Sequence, residues 1–90
     1  MRDPASLDPL FVAAVIRSES MFRTTALSNK GAKGLMQIMP ANNASLGLSN
    51  PFDPNQNAAA GARYLSKLYA QYGDWNTALI AYNEGPTKLA

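Results

Sequence analysis

The sequence predicts a single all-α domain. Its apolar residues recur at steps of three and four, aspartate-proline pairs stand where helices would begin, and no segment alternates apolar and polar residues as a β-strand does. With 90 residues, 47% of them hydrophobic and 16% charged, the chain is too apolar to be disordered and too short for two domains. We therefore expect one compact domain over residues 1–90.

The first helix is predicted over Pro9–Ser20. Asp8 is suited to its N-cap, and proline suits the first helical position because that position needs no amide hydrogen. Glu19 follows Val15 by four residues and Ile16 by three, so its carboxylate falls on the apolar stripe of this helix. A carboxylate on that stripe is unusual, which makes Glu19 the first candidate for chemistry.

The middle of the chain predicts a loop and two short helical segments. Residues 21–33 are rich in threonine, serine, asparagine and glycine, which favours a long loop. The apolar run at 35–39 stops at Pro40 and predicts one or two helical turns buried on several sides. Residues 41–48 predict a further short helix that ends near Gly47.

Two helices are predicted in the second half of the chain. The longer one spans Pro54–Tyr72, again after an aspartate, and ends at Gly73. Asp74 is suited to cap the last helix, which runs from Trp75 to about Asn83.

Composition restricts the chemistry that the chain could carry out. It has no cysteine and no histidine, which excludes disulfides, cysteine-based zinc sites, thiol nucleophiles and histidine-dependent triads. Six carboxylates stand against eight lysine and arginine residues, and the net charge of +2 is too small to indicate nucleic-acid binding. No apolar run is long enough for a membrane span, and the N-terminus has no hydrophobic signal core.

Glu19 has two interpretations. A partly buried acid near the negative end of a helix would have a raised pKa, which suits a general acid. A structural glutamate would instead be paired with Arg17, Arg23 or Arg63 at the edge of the core. Glu84 is the only plausible second acid for paired-carboxylate glycoside hydrolysis, because the aspartates lie at predicted helix caps or in the N-terminal segment.

Three blocks of sequence stand in a fixed order: IRSESMF at 16–22, GAKGLMQIMP at 31–40 and AYNEGP at 81–86. Together with residues 53–65, these blocks resemble the catalytic domain of the soluble lytic transglycosylases. The resemblance runs from about Leu7 to Pro86, nearly the whole chain.

The resemblance implies a compact helical fold similar to goose-type lysozyme, and cleavage of the β-1,4 bond between N-acetylmuramic acid and N-acetylglucosamine in peptidoglycan. The residue that matches Glu19 in the family acts as acid and then as base, and a 1,6-anhydromuramyl end is formed. The resemblance further implies that the partner is a peptidoglycan glycan strand, that no metal or organic cofactor is needed, and that the protein works in the periplasm or outside the cell.

Five further positions match residues that the family places around the substrate: Ser28, Gln37, Met39, Tyr82 and Asn83. The resemblance implies that Ser28 and Gln37 bind the muramyl unit or hold the glutamate, and that Met39 lines the cleft. Tyr82 and Asn83 match the pair beside the catalytic acid. From the residues alone, the favoured interpretation is that Gln37 and Met39 fill a buried turn and that Tyr82-Asn83 form a polar helix end.

The aromatic residues of the second half have a simpler interpretation. Their faces could stack on sugars, but their helical spacing favours packing in the core. These residues are Tyr64, Tyr69, Tyr72 and Trp75.

The sequence departs from the family pattern at two points. Glu84 stands where the family usually has a small residue, which would bring an acid near the cleft or point to solvent. Family domains usually continue after Pro86 with a further helical segment, so we expect a domain shortened at its C-terminal end.

Alternatives from other classes remain open. A hydrolytic muramidase on the same fold would use water in place of the C6 hydroxyl, and a non-catalytic cell-wall-binding module would keep the fold without turnover. A nucleic-acid module is suggested by GAKG at 31–34 but lacks strand context and interleaved aromatic residues. A calcium loop beginning at Asp53 fails because Ala58 replaces the required glycine and Tyr64 replaces the glutamate.

Overall fold

The computed structural model describes residues 8–84, with the side chain of Glu84 outside that description. Along this range, α1 spans Pro9–Ser20, a 3₁₀ turn spans Pro40–Asn42, α2 spans Asn43–Leu46, α3 spans Pro54–Tyr72 and α4 spans Trp75–Glu84. No strand forms between residues 8 and 84, which confirms the all-α class. No helix in this range is long and apolar enough to cross a membrane. The interpretation of Glu84 as a second acid and the expected C-terminal shortening lie outside the described residues.

The three longer helices begin where the sequence predicts a capping aspartate. Asp8, Asp53 and Asp74 each accept a hydrogen bond of 2.9 Å from an amide in the first turn that follows. Each bond satisfies an amide that the first turn of a helix leaves without a partner. α3 ends at Gly73, whose φ of 71° stops the helix as predicted. The short helix predicted within residues 41–48 is also present, as α2.

The segment 35–39 is not helical, and the prediction of helical turns there is wrong. Lys33 and Ile38 instead exchange backbone hydrogen bonds of 3.0 and 3.1 Å across a tight turn at residues 34–37. Gln37 closes this turn with a φ of 53°, in the left-handed region that a right-handed helix does not use. The predicted burial is confirmed, since Met36 is fully buried and Ile38 is 3% exposed.

Asn57 explains why a turn forms in place of a helix. Its side chain is fully buried on α3, where Oδ1 accepts a hydrogen bond from the Met36 amide at 2.7 Å. Its Nδ2 donates to the carbonyls of Lys33 and Pro51 at 2.9 and 2.8 Å. The side chain thus supplies partners that a helix would otherwise provide. Gly34 permits this approach, because its φ is 81° and a Cβ there would stand 2.9 Å from Asn57 Cγ.

Met36 belongs to the larger of two apolar cores. The buried members of this core join α1, the turn, α2 and α3, and are Val15, Ile16, Leu35, Met36, Ile38, Leu46, Leu48, Ala60 and Leu65. Gly61 lets Met36 approach α3 closely, because a Cβ on Gly61 would stand 2.8 Å from Met36 Cβ. A smaller core joins α3 to α4 through Leu68, Ala78 and Ala81. These contacts fix the end of α4 beside the end of α1.

Trp75 ties the N-terminal part of the chain to the last two helices. Its ring stacks on Tyr69 with centroids 4.2 Å apart and meets Phe11 at 5.1 Å. Tyr72 packs against the smaller core. The predicted packing role of Trp75, Tyr69 and Tyr72 is confirmed.

Candidate functional site

Glu19 lies in the last turn of α1 and is half-buried. Burial away from water raises the pKa of its carboxyl above the ordinary value. Within residues 8–84, no hydrogen bond or ion pair engages this carboxyl. Arg23 Nε instead donates to the Ser20 carbonyl at 3.3 Å. Arg63 donates to the Leu46 carbonyl, so neither arginine neutralises Glu19.

The third arginine of the ion-pair interpretation also lies apart from the acid. Arg17 is exposed and lines a shallow groove on the outer side of α1, with Leu10 and Phe22. Among the described residues, Glu19 therefore forms no ion pair with any of the three arginines. What remains is an unpaired, half-buried acid with a raised pKa, which is the state that a general acid needs near neutral pH.

Glu19 lines a cavity of about 220 Å³ between α1 and α4. The full lining is Phe11, Ala14, Val15, Ser18, Glu19, Leu79, Tyr82 and Asn83. Glu19 is its only carboxylate among the described side chains, and most of the other lining groups are apolar. A carboxyl in such a cavity loses hydration without gaining a counter-charge, which accounts for its raised pKa.

Tyr82 stands beside this acid. Its hydroxyl donates a hydrogen bond of 2.5 Å to the carbonyl of Met36, and its ring lies 5.3 Å from that of Tyr64. Burial, and then the negative charge of Glu19, raise the pKa of Tyr82 far above its ordinary value. Its hydroxyl hydrogen is engaged by the Met36 carbonyl. Tyr82 and Glu19 line the same cavity, so the structure brings these two predicted site residues together.

Gln37 and Met39 do not line the cavity of Glu19. The Gln37 side chain donates to the carbonyls of Ala26 and Gly34 at 3.2 and 3.0 Å, which holds the turn in its left-handed conformation. Met39 is 39% exposed, which is high for a large apolar side chain. Both residues line a second, larger cavity. The role expected of Gln37, which is to bind the muramyl unit or hold the glutamate, and the cleft-lining role expected of Met39 stay predictions.

This larger cavity, of about 470 Å³, forms a cleft. Its lining comes from residues 30–45, from α3 and, through Tyr82 and Asn83, from α4. The full lining is Lys30, Gln37, Ile38, Met39, Asn42, Ser45, Tyr64, Lys67, Leu68, Gln71, Tyr82 and Asn83. Tyr82 and Asn83 also line the cavity of Glu19, so the two spaces share one boundary.

Ser28 lies in neither of these two cavities. Its hydroxyl accepts hydrogen bonds from the amides of Ala32 and Lys30 at 2.9 and 3.3 Å, and so closes its own loop. Its predicted contact with a substrate stays a prediction. In the structure its role is to shape the loop that carries Lys30.

Several residues around this site are not among the predicted site residues. Asn57 is one of them, although its place four residues before Gly61 and eight before Leu65 puts an amide on the apolar face of α3. Tyr64 was assigned to the core, and it does contact both apolar cores, but it also lines the cleft. Lys67 follows Tyr64 by three residues, so helical periodicity could have placed it on the same face.

No group of three or more histidine, cysteine, aspartate or glutamate side chains lies close enough within residues 8–84 to hold a metal ion. Asp53, which begins the calcium-like pattern, instead accepts hydrogen bonds from the amides of Asn55 and Gln56 at 2.9 and 3.1 Å. Asp53 Oδ1 therefore caps the N-terminus of α3.

Known proteins share this arrangement of elements. A family model described as the transglycosylase SLT domain matches residues 3–90. The chain is 49% identical over 80 residues to a transglycosylase of Enterobacteria phage PRD1, covering 89% of this chain and 30% of the phage protein. It is 38% identical over 90 residues to membrane-bound lytic murein transglycosylase F of Desulfosudis oleivorans, covering 92% of this chain and 20% of that protein.

The fold also has a counterpart of known structure. The chain superimposes on the crystal structure of the 70 kDa soluble lytic transglycosylase of Escherichia coli with a TM-score of 0.83 and 33% identity. The match covers 93% of this chain and 15% of that one. The predicted helical fold is thereby confirmed. The chain spans between 15% and 30% of the length of these three relatives.

Proposed function

Because this chain belongs to the transglycosylase SLT domain family, we propose that it is a peptidoglycan lytic transglycosylase. Its reaction would cleave the β-1,4 bond between N-acetylmuramic acid and N-acetylglucosamine and leave a 1,6-anhydromuramyl end. The observation that carries this proposal is Glu19, an acid with a raised pKa and no ion pair within residues 8–84, in a cavity that borders a cleft. Residues 7–86 would form the core of one catalytic domain.

In the first step, Glu19 acts as general acid. Its neutral carboxyl donates a proton to the glycosidic oxygen as the bond to muramyl C1 breaks, and the N-acetylglucosamine chain leaves with a new hydroxyl group. The raised pKa keeps a larger fraction of this carboxyl protonated near neutral pH than an exposed glutamate would have. The positive charge that develops at C1 is then close to the carboxylate that Glu19 has become.

In the second step, Glu19 acts as general base. The carboxylate accepts the proton of the muramyl C6 hydroxyl, whose oxygen attacks C1 and closes the 1,6-anhydro ring. No water is consumed, and the catalytic carboxyl returns to its neutral form. A single carboxyl group is sufficient for this cycle because the substrate provides its own nucleophile, whereas paired-carboxylate hydrolysis needs a second acid about 5–10 Å away.

The neighbouring residues would position the substrate and the acid. Tyr82 and Asn83, on the boundary of both cavities, are suited to orient Glu19 and the muramyl unit without adding charge. Gln37 and Met39 would line the path of the glycan strand. Ser28 would contribute by shaping its loop, or through direct contact with a strand that enters the cleft.

The setting of this reaction follows from its substrate. The relatives include proteins named membrane-bound lytic murein transglycosylase, and peptidoglycan lies outside the cytoplasm. We therefore propose a periplasmic or extracellular site of action, with glycan strands as partner and no role in nucleic-acid binding.

Digestion of purified peptidoglycan tests the proposal. The unmodified chain, Glu19→Gln and the control Asp8→Asn would each be incubated with sacculi, and the unreduced soluble products measured by mass spectrometry. Asp8→Asn removes the same charge but keeps a side chain able to cap α1. We expect anhydro products, lighter by one water than hydrolysis products, from the unmodified chain and the control, and a loss of about a thousandfold with Glu19→Gln.

The other outcomes separate the alternatives. Products with reducing ends would identify a hydrolytic muramidase and would overturn the transglycosylase proposal. Binding to sacculi without any soluble product from the unmodified chain would identify a non-catalytic wall-binding module.

A further inference from the structure

Two cations stand in the cleft beside the candidate acid. Lys30 comes from the loop before the 34–37 turn and Lys67 from α3, and among the described residues they are the only charged ones in the lining. Both are exposed, and neither takes part in an ion pair within residues 8–84. Glu19 lies in the adjoining cavity, beyond Tyr82 and Asn83. The cleft therefore carries two positive charges that no described side chain in it neutralises.

The backbone of each lysine is held in place. The amide of Lys30 donates to Ser28 Oγ at 3.3 Å, in a loop that the same oxygen closes through the amide of Ala32 at 2.9 Å. Lys67 belongs to the long helix α3, with Tyr64 one turn before it and Gln71 one turn after it on the same face. Charges of one sign along the walls of a cleft raise the local concentration of an anion.

The sugar backbone of a glycan strand has no anionic group that could pair with these two lysines. Its sugar units carry hydroxyl and acetamido groups, which are neutral. The anionic groups of peptidoglycan are carboxylates on the lactyl substituent of each muramyl unit, either as the free lactic acid or on the stem peptide attached to it. A strand whose muramyl unit lies at Glu19 would carry such a substituent within reach of the adjoining cleft.

We propose that Lys30 and Lys67 form a binding site for a carboxylate carried by the muramyl lactyl group, so that the chain selects strands by the charge of this substituent. The proposal rests on the proposed function, since it takes peptidoglycan as the substrate. The amide of Gln71, on the same face as Lys67, adds a neutral donor and acceptor suited to a peptide.

Three preparations of soluble glycan strands test this site. The first carries stem peptides with free carboxylates, the second carries the same peptides with those carboxylates amidated, and the third has its peptides removed to leave the lactyl carboxylate. The proteins compared are the unmodified chain, Lys30→Gln, Lys67→Gln, the double variant, and Arg17→Gln. Arg17 is an exposed cation on the outer groove of α1, so its removal is a matched control for net charge.

The measured quantity is the ratio of kcat/KM for carboxylated strands to kcat/KM for amidated strands. We expect this ratio to exceed one for the unmodified chain, to fall about threefold in each lysine variant and to fall about tenfold in the double variant. Arg17→Gln should keep the ratio of the unmodified chain. Lysine-dependent preference for the third preparation would assign the site to the lactyl carboxylate, and preference for the first to the stem peptide. The proposal would be overturned if the double variant and Arg17→Gln gave the same ratio and also the same kcat/KM for the third preparation relative to amidated strands.

A binding measurement separates this proposal from the proposed function. Glu19→Gln, with and without the two lysine changes, would be titrated with each preparation at two salt concentrations. Tighter binding to carboxylated strands that is lost with the lysines supports the carboxylate site even if the unmodified chain cleaves nothing. Equal binding to all three preparations overturns the site even if cleavage proceeds through Glu19.

Discussion

The hydroxyl of Tyr82 donates to the carbonyl of Met36 at 2.5 Å, across 46 residues of sequence. The amide of Met36 donates in turn to Asn57 at 2.7 Å. One residue of the 34–37 turn is therefore held from both sides, by α4 through its carbonyl and by α3 through its amide. This pair of bonds fixes the ring of Tyr82 at the boundary between the cavity of Glu19 and the cleft.

Removing the Tyr82 hydroxyl should destabilise the protein. Tyr82→Phe keeps the ring but leaves the Met36 carbonyl without this partner in a buried environment, which we expect to cost about 1–2 kcal/mol in the free energy of unfolding. Urea unfolding measures the difference. Tyr69→Phe is the control, because that hydroxyl makes no hydrogen bond in the described part of the chain. Equal stabilities of the two variants would contradict the anchoring role of Tyr82.

Asn57→Ala should be more damaging than Tyr82→Phe. The change leaves the Met36 amide and two carbonyls without partners inside the core, and we expect a loss of about 3 kcal/mol or more. Asn55→Ala, at an exposed position of the same helix, should change stability by less than about 0.5 kcal/mol. The thermal unfolding midpoints of the two variants test this, and a small effect at Asn57 would mean that the turn does not depend on α3.

Gly61→Ala should destabilise the protein, although alanine is normally more stable than glycine within a helix. In an exposed helix, alanine is favoured over glycine by about 1 kcal/mol. Here a Cβ would stand 2.8 Å from Met36 Cβ, so we expect a net loss of about 1–3 kcal/mol. Ala59→Gly, at an exposed position of α3, gives the propensity effect alone. A stabilising Gly61→Ala would show that Met36 can move away from α3.

The stability of the protein should depend on pH through Glu19. Because burial raises the pKa of this carboxyl in the folded state above 4.5, the unfolded chain ionises first as pH rises. The contribution of Glu19 is therefore most favourable below that value and is lost as pH rises through the folded pKa. Glu19→Gln removes this dependence, so its stability relative to the unmodified chain should increase as pH rises from below 4.5 through the folded pKa of Glu19.

Urea unfolding at a series of pH values measures this difference. Asp8→Asn is again the control, because Asp8 is an exposed helix cap on the same helix as Glu19. A relative stability of Glu19→Gln that stays constant or falls with rising pH would mean that a favourable interaction holds the ionised form of Glu19.

Local chemistry was enough to predict the helices. Asp8, Asp53 and Asp74 cap amides within three residues of themselves, and Gly73 ends α3 by its own backbone conformation. The bounds of α1 and α3 are those that the sequence predicts. The half-buried position of Glu19 also follows from its spacing to Val15, since helical periodicity requires no knowledge of the partner surface.

The turn at residues 34–37 and the state of Glu19 were decided by tertiary structure. The partners of Met36 lie 21 and 46 residues away in sequence, so no local pattern shows that its backbone will be satisfied outside a helix. Arg23 and Arg63 were near enough in sequence or pattern to pair with Glu19, yet both donate to backbone carbonyls. The sequence by itself determined the helices and the apolar stripe that carries the acid, because those depend on neighbours along the chain. Only the packed chain decided which polar groups meet, because hydrogen bonds between distant segments form where the core brings them together.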